Sequence, residues 1–319
     1  MICQKEVTAK MIPVDLITGF LGSGKTTFLK RYARYLTAQG QKIGILENDY
    51  GAVNVDMLLL QELEREGCGL DMVAGACDAD CHKRRFKTKL IAMGMSGYDR
   101  VLIEPSGVFD VDEFFDVLYE EPLDRWYEIG SVIAVVDANL EDGLSESADY
   151  LLASQLANAG VVVLSKTQLA TAAEREATVR HMEQALLQVQ CRKDLRGRLL
   201  EKDWDALTDS DFARVMHSGA DDQSFVKRGT TDDSGFRSLY FINKPYTAAQ
   251  LEAAAKQAFA GEACGKIFRV KGFVRDGDGW LEFNATRQST AVTPIAAGQD
   301  IVIVIGEQLN EAAVAALFG

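Results

Sequence analysis

Short apolar runs without polar alternation recur through the first half of the chain. VDLIT at 14–18, KIGILE at 42–47, RVLIE at 100–104, SVIAVVD at 131–137 and GVVVLS at 160–165 read as strands. They are apolar on both faces, as strands covered by helices on two sides of a parallel sheet must be. Between them the period lengthens to that of a helix. Over 25–40, Phe28, Leu29, Tyr32, Ala33 and Leu36 mark one face, and Gly40 supplies a stop. Strand and helix in alternation predict a doubly wound, mostly parallel α/β sheet.

The pattern changes after position 170. Residues 171–190 read as a helix, and 192–200 as a basic, solvated run. The stretch ADDQSFVKRGTTDDSG at 220–235 is polar and turn-rich, which places a boundary there. Beyond it the order is strand (237–243), helix (247–260), strands at 266–274, 280–284 and 300–306, and a last helix from Asn310, with turns such as DGDG at 276–279. This is a smaller C-terminal α+β unit. The expected division is 1–175 for a nucleotide-binding domain, 176–235 for a helical extension and linker, and 236–319 for the C-terminal domain. No internal repeat or low-complexity tract is visible.

Composition narrows the class. The chain has 319 residues, 47% of them hydrophobic and 25% charged, which is ordinary for a globular protein and excludes a largely disordered one. The formal charge of −13 argues against a nucleic-acid binder or an anionic-membrane binder, since both would repel this surface. No stretch reaches the roughly 20 apolar residues that span a bilayer, and the apolar run before Gly19 is too short for a signal peptide. The expectation is a soluble cytoplasmic protein. Its six cysteines (Cys3, Cys68, Cys77, Cys81, Cys191 and Cys264) are too sparse for a disulfide framework and are read as thiols.

The strongest chemical signal is GFLGSGKTT at 19–27, which fits G-x-x-x-x-G-K-[ST] and stands between a strand and a helix. Gly19, Gly22, Ser23 and Gly24 let the backbone curl so that amides point at phosphate oxygens, and the helix that follows adds its N-terminal dipole. Lys25 reaches the terminal phosphates, the Thr26 hydroxyl suits Mg2+, and Thr27 extends the amide cradle. The competing reading, a glycine-rich turn with an incidental lysine, explains neither the spacing nor the context. A P-loop NTPase needs a further carboxylate at the end of a neighbouring strand. Glu104 in RVLIEPSG ends such a strand, and Gly107 offers a backbone approach to the γ-phosphate, an E-x-x-G where many GTPases have D-x-x-G. A third segment, ENDYG at 47–51 with Asp56 further on, brings carboxylates, Asp49 first among them, as candidates for orienting water or binding Mg2+; an Asn-Asp turn in a polar loop is the alternative.

With these segments in this order the chain resembles the CobW/HypB/UreG family of P-loop GTPases, and its CobW-like branch most closely. The matching residues are GFLGSGKTT at 19–27, NDYGAVNVD at 48–56 where the family tends to N-E-x-G-E-x-x-x-D, EPSG at 104–107 and VVDA at 135–138. GKIFRVKGF at 265–273 and IVIVIGEQL at 301–309 resemble the CobW C-terminal domain. The likeness covers nearly the whole chain and is weakest over 171–235. It implies GTP hydrolysis coupled to delivery of a metal or metallocofactor to a client protein; members of the family serve nickel, zinc, cobalt, iron and cobalamin clients.

Three departures matter. The guanine-reading N-K-x-D stands here as Ser165-Lys166-Thr167-Gln168. Gln168 offers one carbonyl oxygen and a donor amide where an aspartate would accept twice, a difference of about 1–3 kcal/mol in base discrimination. The preference for GTP that the resemblance implies is therefore weakened, and ATP remains an alternative. The family's C-x-C-C motif is replaced by GACDADCH at 75–82. Cys77 and Cys81, four apart, would share one helix face, and His82 or Cys68 would complete a thiolate-rich site for Zn2+ or Co2+. Two reduced thiols in a turn are the plain alternative. Finally, the second glutamate of the N-E-x-G-E motif is Ala52 here. The run HKRRFK at 82–87 reads as a solvated helix face, with a docking patch for an acidic client as the sharper option.

The resulting expectation is a slow NTPase of metallochaperone or cofactor-insertion type. Lys25, Glu104 and Asp49 do the chemistry, Thr26 and Glu104 hold Mg2+, and the partners are GTP or GDP and a client metalloprotein or cofactor-dependent enzyme, with a homodimer left open. The rival readings are a nucleotide-gated module that reactivates a corrinoid enzyme without a metal site of its own, and an ATP-dependent small-molecule kinase.

Overall fold

The structure, a computed structural model, describes residues 10–48, 56–73, 75, 79–108, 111–141, 143–221 and 236–319. Two sheets organise them. The first unit runs β1 (Ile12–Thr18), α1 (Lys25–Ala38), β2 (Ile43–Asn48), α2 (Asp56–Arg65), β3 (Gly69–Val73), α3 (Ala79–Gly94), β4 (Arg100–Pro105), α4 (Val111–Leu118), β5 (Tyr127–Asp137), α5 (Glu146–Ala157), β6 (Val161–Ser165), α6 (Ala172–Gln188), β7 (Leu199–Leu200) and α7 (Asp209–Met216). Its seven strands lie in the order β3-β2-β4-β1-β5-β6-β7, all pairs parallel.

The unalternating apolar runs are explained by this layering. On β4, Val101 and Ile103 enter one core with Phe86 and Leu90 of α3, while Leu102 enters the opposite core with Phe28 and Leu29 of α1. On β5, Val132, Ala134 and Val136 face the first core and Ile133 and Val135 the second. A strand with helices on both faces has no side to leave polar.

After position 190 the structure departs from the sequence reading. The run 192–200 is not simply solvated: Leu195 and Leu200 are buried, β7 joins the sheet beside β6, and Lys193 is 9% exposed. Its ammonium donates to the carbonyls of Leu156, Ala157 and Ala159 at the end of α5, and Asp221 lies 3.4 Å away. The segment read as a linker thus supplies the seventh strand, while 222–235 lies outside the described residues.

The second unit comprises β8 (Phe236–Ile242), α8 (Ala248–Ala260), β9 (Lys266–Asp276), β10 (Gly279–Ala285), β11 (Thr290–Ile295), β12 (Ile301–Glu307) and α9 (Glu311–Phe318). Its antiparallel sheet has the order β11-β10-β9-β12-β8. Val270, Val274, Phe283, Val302 and Val304 face α8 and α9. The other face, carrying Phe273, Ile301 and Ile303, packs on Leu58 and Leu59 of α2 in the first unit. Among the described residues no helix is long and apolar enough to cross a membrane.

Candidate functional site

The loop between β1 and α1 lies at the carboxyl ends of the parallel strands, where open α/β sheets bind ligands. Gly24 precedes α1 with φ 99°, a left-handed conformation that favours glycine, and no described side chain caps the helix. By contrast Ser145, Thr171, Thr247 and Asn310 cap α5, α6, α8 and α9 through side-chain oxygens. The first amides of α1 therefore face the loop and suit an anion. Lys25, 7% exposed, folds its ammonium back onto the Gly19 carbonyl at 3.0 Å. Ser23 is buried, and its hydroxyl makes no hydrogen bond among the described residues. A donor left over in a curl of amides fits a phosphate oxygen.

Thr26 points across to β4, where its hydroxyl donates to Glu104 Oε1 at 2.7 Å. Glu104 is buried at the strand end. A hydroxyl beside a carboxylate is an all-oxygen donor pair, which suits Mg2+. Gly107 follows on the same loop and passes so near the phosphate loop that a Cβ there would stand 2.8 Å from the Leu21 amide. Gly22, Gly24, Lys25, Thr26, Thr27, Glu104 and Gly107 all line one cavity of about 220 Å³.

The first carboxylate of the ENDYG segment also lines this cavity. Glu47 ends β2, is 2% exposed, and is the register partner of Glu104 on the adjacent strand. The signal was present: GILE at the end of one apolar run repeats VLIE at the end of another. Asp49, the residue expected there, lies outside the described residues, as does Cys77.

The segment expected to read the base follows β6. Ser165 is buried, Lys166 adopts φ 55° and its ammonium meets Asp137 at 2.5 Å, and Gln168 is exposed. Trp204 closes the neighbourhood: its indole N–H donates to the Leu164 carbonyl at 2.9 Å, and a side chain at Gly24 would run into its ring at 3.1 Å. Nothing in the sequence marked Trp204, because its partners are forty or more residues away.

The thiol set separates. Cys81 is half-buried on α3, and its neighbour His82 is 1% exposed. The His82 ring places Nε2 2.7 Å from Asn48 Oδ1 at the end of β2. Burial, with the Arg85 guanidinium adding to it, pushes the His82 pKa down to about 4, so the ring is neutral at pH 7 and Nε2–H donates to Asn48. Cys68 does not come near this pair. It packs with Leu60 and Leu63 on the opposite face of the sheet from Phe86 of α3, against the Thr37 hydroxyl at 3.7 Å. Burial raises its thiol pKa, the opposite of what a thiolate ligand needs. No group of three or more His, Cys, Asp or Glu poised for a metal occurs among the described residues. The basic run at 82–87 forms part of α3, where Lys83 and Lys87 both pair with Glu120 at 2.9 and 2.8 Å.

Comparison with known proteins fits this geometry. The family model for the CobW/HypB/UreG nucleotide-binding domain matches residues 13–195, more than half of the chain. The chain belongs to the CobW/HypB/UreG family. Among curated relatives of this CobW/HypB/UreG protein are two of Escherichia coli K12. Zinc chaperone YjiA is 30% identical over 172 residues, covering 51% of this chain and 52% of the relative. Zinc chaperone YeiR is 28% identical over 175 residues, covering 54% and 52%. The chain thus spans about half the length of the curated relatives it matches. Among solved structures, Zn(II)-bound YjiA GTPase from E. coli aligns over 97% of this chain and 98% of its own, at 19% identity and a TM-score of 0.39.

Proposed function

We propose that this protein is a GTP-hydrolysing metallochaperone that couples its nucleotide state to delivery of a transition metal, Zn2+ first among candidates, to a client protein. The observation that carries the reading is the convergence of Lys25, Thr26, Glu104 and Glu47 on one cavity at the carboxyl ends of β1, β2 and β4. Two family relatives are zinc chaperones, which supports the choice of cargo.

The chain's own residues divide the work. The loop amides and Ser23 hold the phosphate tail. Lys25 leaves the Gly19 carbonyl for the terminal phosphates and offsets charge that grows there as the bond breaks. In hydrolysis a water oxygen bonds to the γ-phosphorus, the bond from that phosphorus to the β,γ-bridging oxygen breaks, and GDP and inorganic phosphate leave, the water's protons passing to phosphate or solvent. Thr26 and Glu104 would hold Mg2+, which supplies a counter-charge to the phosphate oxygens. Glu47, beside Glu104, is placed to orient polar groups at the same end of the cavity. Asp49 and Gly107 are proposed to act from the flanking loops, and Ser165, Lys166 and Gln168 to meet the base.

Cys81, together with Cys77, is the proposed metal station. Asn48 links it to the nucleotide site: it accepts from His82 while its neighbour Glu47 lines the phosphate cavity. A change in the phosphate is thereby felt one residue from α3.

The test is phosphate release by the purified protein with GTP and with ATP, beside Lys25→Ala, followed by zinc competition titrations in the GTP and GDP states. Slow release, faster for GTP and lost in the variant, is expected, together with zinc affinities that differ between the two nucleotides. Equal zinc affinities, or affinities unchanged in a Cys77→Ser/Cys81→Ser double variant, would reject the metal half. Transfer of labelled phosphate to a metabolite would reject hydrolysis in favour of a kinase.

A further inference from the structure

Arg269 belongs to neither the phosphate loop nor the first unit, yet it lines the same cavity. Its place follows from strand alternation. Past the irregularity that β9 makes against β12, Val270 and Val274 turn to the helices of the second unit, while Arg269, Lys271 and Phe273 turn to the first. On β10, Phe283 and Ala285 face the helices and Glu282 and Asn284 face the cavity. The second sheet is thus a polar ceiling over the loop that would hold the nucleotide.

The ceiling is seated on the loop. Thr286, in the β10–β11 turn, lies so near Gly22 that a Cβ on Gly22 would stand 2.7 Å from its methyl group. Ser289 of the same turn is 3.4 Å from the Lys166 ammonium. Phe20, inside the phosphate loop, meets Phe268 edge-on at 5.4 Å between ring centres.

Four cations line the cavity: Lys25, Lys30, Arg269 and Lys271. Lys25 is the loop lysine. Lys30 pairs with Glu62 at 2.8 Å and Lys271 with Glu282 at 3.4 Å. Arg269 is held by a neutral group, its Nε donating to Asn284 Oδ1 at 3.0 Å, and has no carboxylate partner among the described residues. That single bond aims the guanidinium and leaves its terminal nitrogens for another acceptor. A half-buried guanidinium with no anion beside it is a poor resting arrangement, and the planar fork matches phosphate oxygens.

We propose that Arg269 contacts the terminal phosphate of the bound nucleoside triphosphate, so that the second unit distinguishes triphosphate from diphosphate within one chain. The proposal rests on the nucleotide reading of the loop. Loss of the terminal phosphate removes the acceptor of Arg269 and loosens the ceiling from the loop. The same sheet face grips Leu58 and Leu59 of α2, so its seating and that of α2 change together.

The test uses the full chain and titrates fluorescent GTP and GDP analogues with Mg2+ into wild type, Arg269→Gln, Arg269→Lys and Lys25→Ala. Arg269→Gln is expected to weaken the triphosphate tenfold or more, to leave the diphosphate within about twofold, and to slow GTP hydrolysis, with partial recovery in Arg269→Lys. If Arg269→Gln does not fold, Asn284→Ala, which removes only the guanidinium's anchor, carries the same expectation at smaller size. Wild type that binds nucleotide while the Arg269 variants keep wild-type affinity for both nucleotides, or lose both equally, overturns this inference alone. Wild type that binds neither nucleotide overturns the nucleotide reading and this one with it.

Discussion

At the scale of single residues, the site is a set of short polar side chains whose partners are fixed by strand ends. Thr26 is held by Glu104 at 2.7 Å, so its hydroxyl is already fixed beside the carboxylate with which it is proposed to hold Mg2+. Replacing it with alanine removes both a proposed metal ligand and the restraint on Glu104. Thr26→Ala should lower GTP turnover by roughly a hundredfold, the scale seen when one preorganised polar group is lost, and leave the unfolding midpoint nearly unchanged; phosphate release and urea unfolding check the two halves. Gln168 is exposed at the end of the base-reading segment, so changing it disturbs no packing. Gln168→Asp restores a double acceptor for the guanine edge and should raise the preference for GTP over ATP by roughly tenfold, in line with about 1–3 kcal/mol for a charge-assisted pair. Competition between the two nucleotides measures it, and an unchanged ratio would show that the base lies elsewhere. The residue scale is also where legibility in the sequence was greatest and most uneven. Lys25, Thr26 and Glu104 were readable because spacing and strand context name them. Cys68 was misleading, since closeness in sequence to Cys77 and Cys81 hides the sheet that stands between it and α3.

At the scale of elements, what the sequence carried was period and what it lacked was pairing. The five runs read as strands appear as β1, β2, β4, β5 and β6, because unalternating apolar stretches demand two covered faces. β3 and β7 of the first sheet escaped notice, as did the exposed edge strand β11 of the second. GLDMV of β3 is only partly buried at the sheet edge, and β7 is two residues long, so neither has a period to read. Lys193 shows the same limit in a side chain. A lysine in a basic run looks solvated, but its acceptors are carbonyls at the end of α5, more than thirty residues earlier. Burial pushes its pKa down to about 8, against which Asp221 acts only in part. Below pH 8 the folded and unfolded chains both hold this proton. Between pH 8 and about 10.5 the unfolded chain holds it and the folded chain does not, so folding becomes easier as pH rises through that window. Urea unfolding of wild type against Lys193→Met should therefore show a stability difference that shifts in favour of wild type from pH 8 upward. A difference that stays flat with pH would mean that the ammonium is solvated after all.

At the scale of the whole molecule, the two sheets are joined through the loop that would hold the nucleotide. Phe20 of that loop is 7% exposed, and Phe268 and Phe236 of the second unit surround it with ring centres 5.4 and 6.1 Å away. Polar contacts flank the aromatic cluster: the Ser145 hydroxyl, which also caps α5, donates to Glu307 at 2.6 Å, and the Lys266 ammonium donates to the Gly143 carbonyl at 2.8 Å. The exposed Lys266 contact contributes little and the part-buried Ser145–Glu307 bond about 1.5–3 kcal/mol, whereas truncating a buried phenyl ring costs about 3–5 kcal/mol. The aromatic cluster therefore outweighs the polar contacts that flank it, and shares the joint with the packing of Phe273, Ile301 and Ile303 on α2. Phe268→Ala removes a ring from the interface without touching a phosphate-facing group. The expected outcome is that wild type melts in one calorimetric transition, that Phe268→Ala splits it in two, and that GTP affinity falls with it because Phe20 loses the wall that holds the loop in its curl. If the variant melts in a single transition, merely shifted, and binds GTP as wild type does, the loop keeps its shape without the second unit, and the joint between the sheets is only a tether.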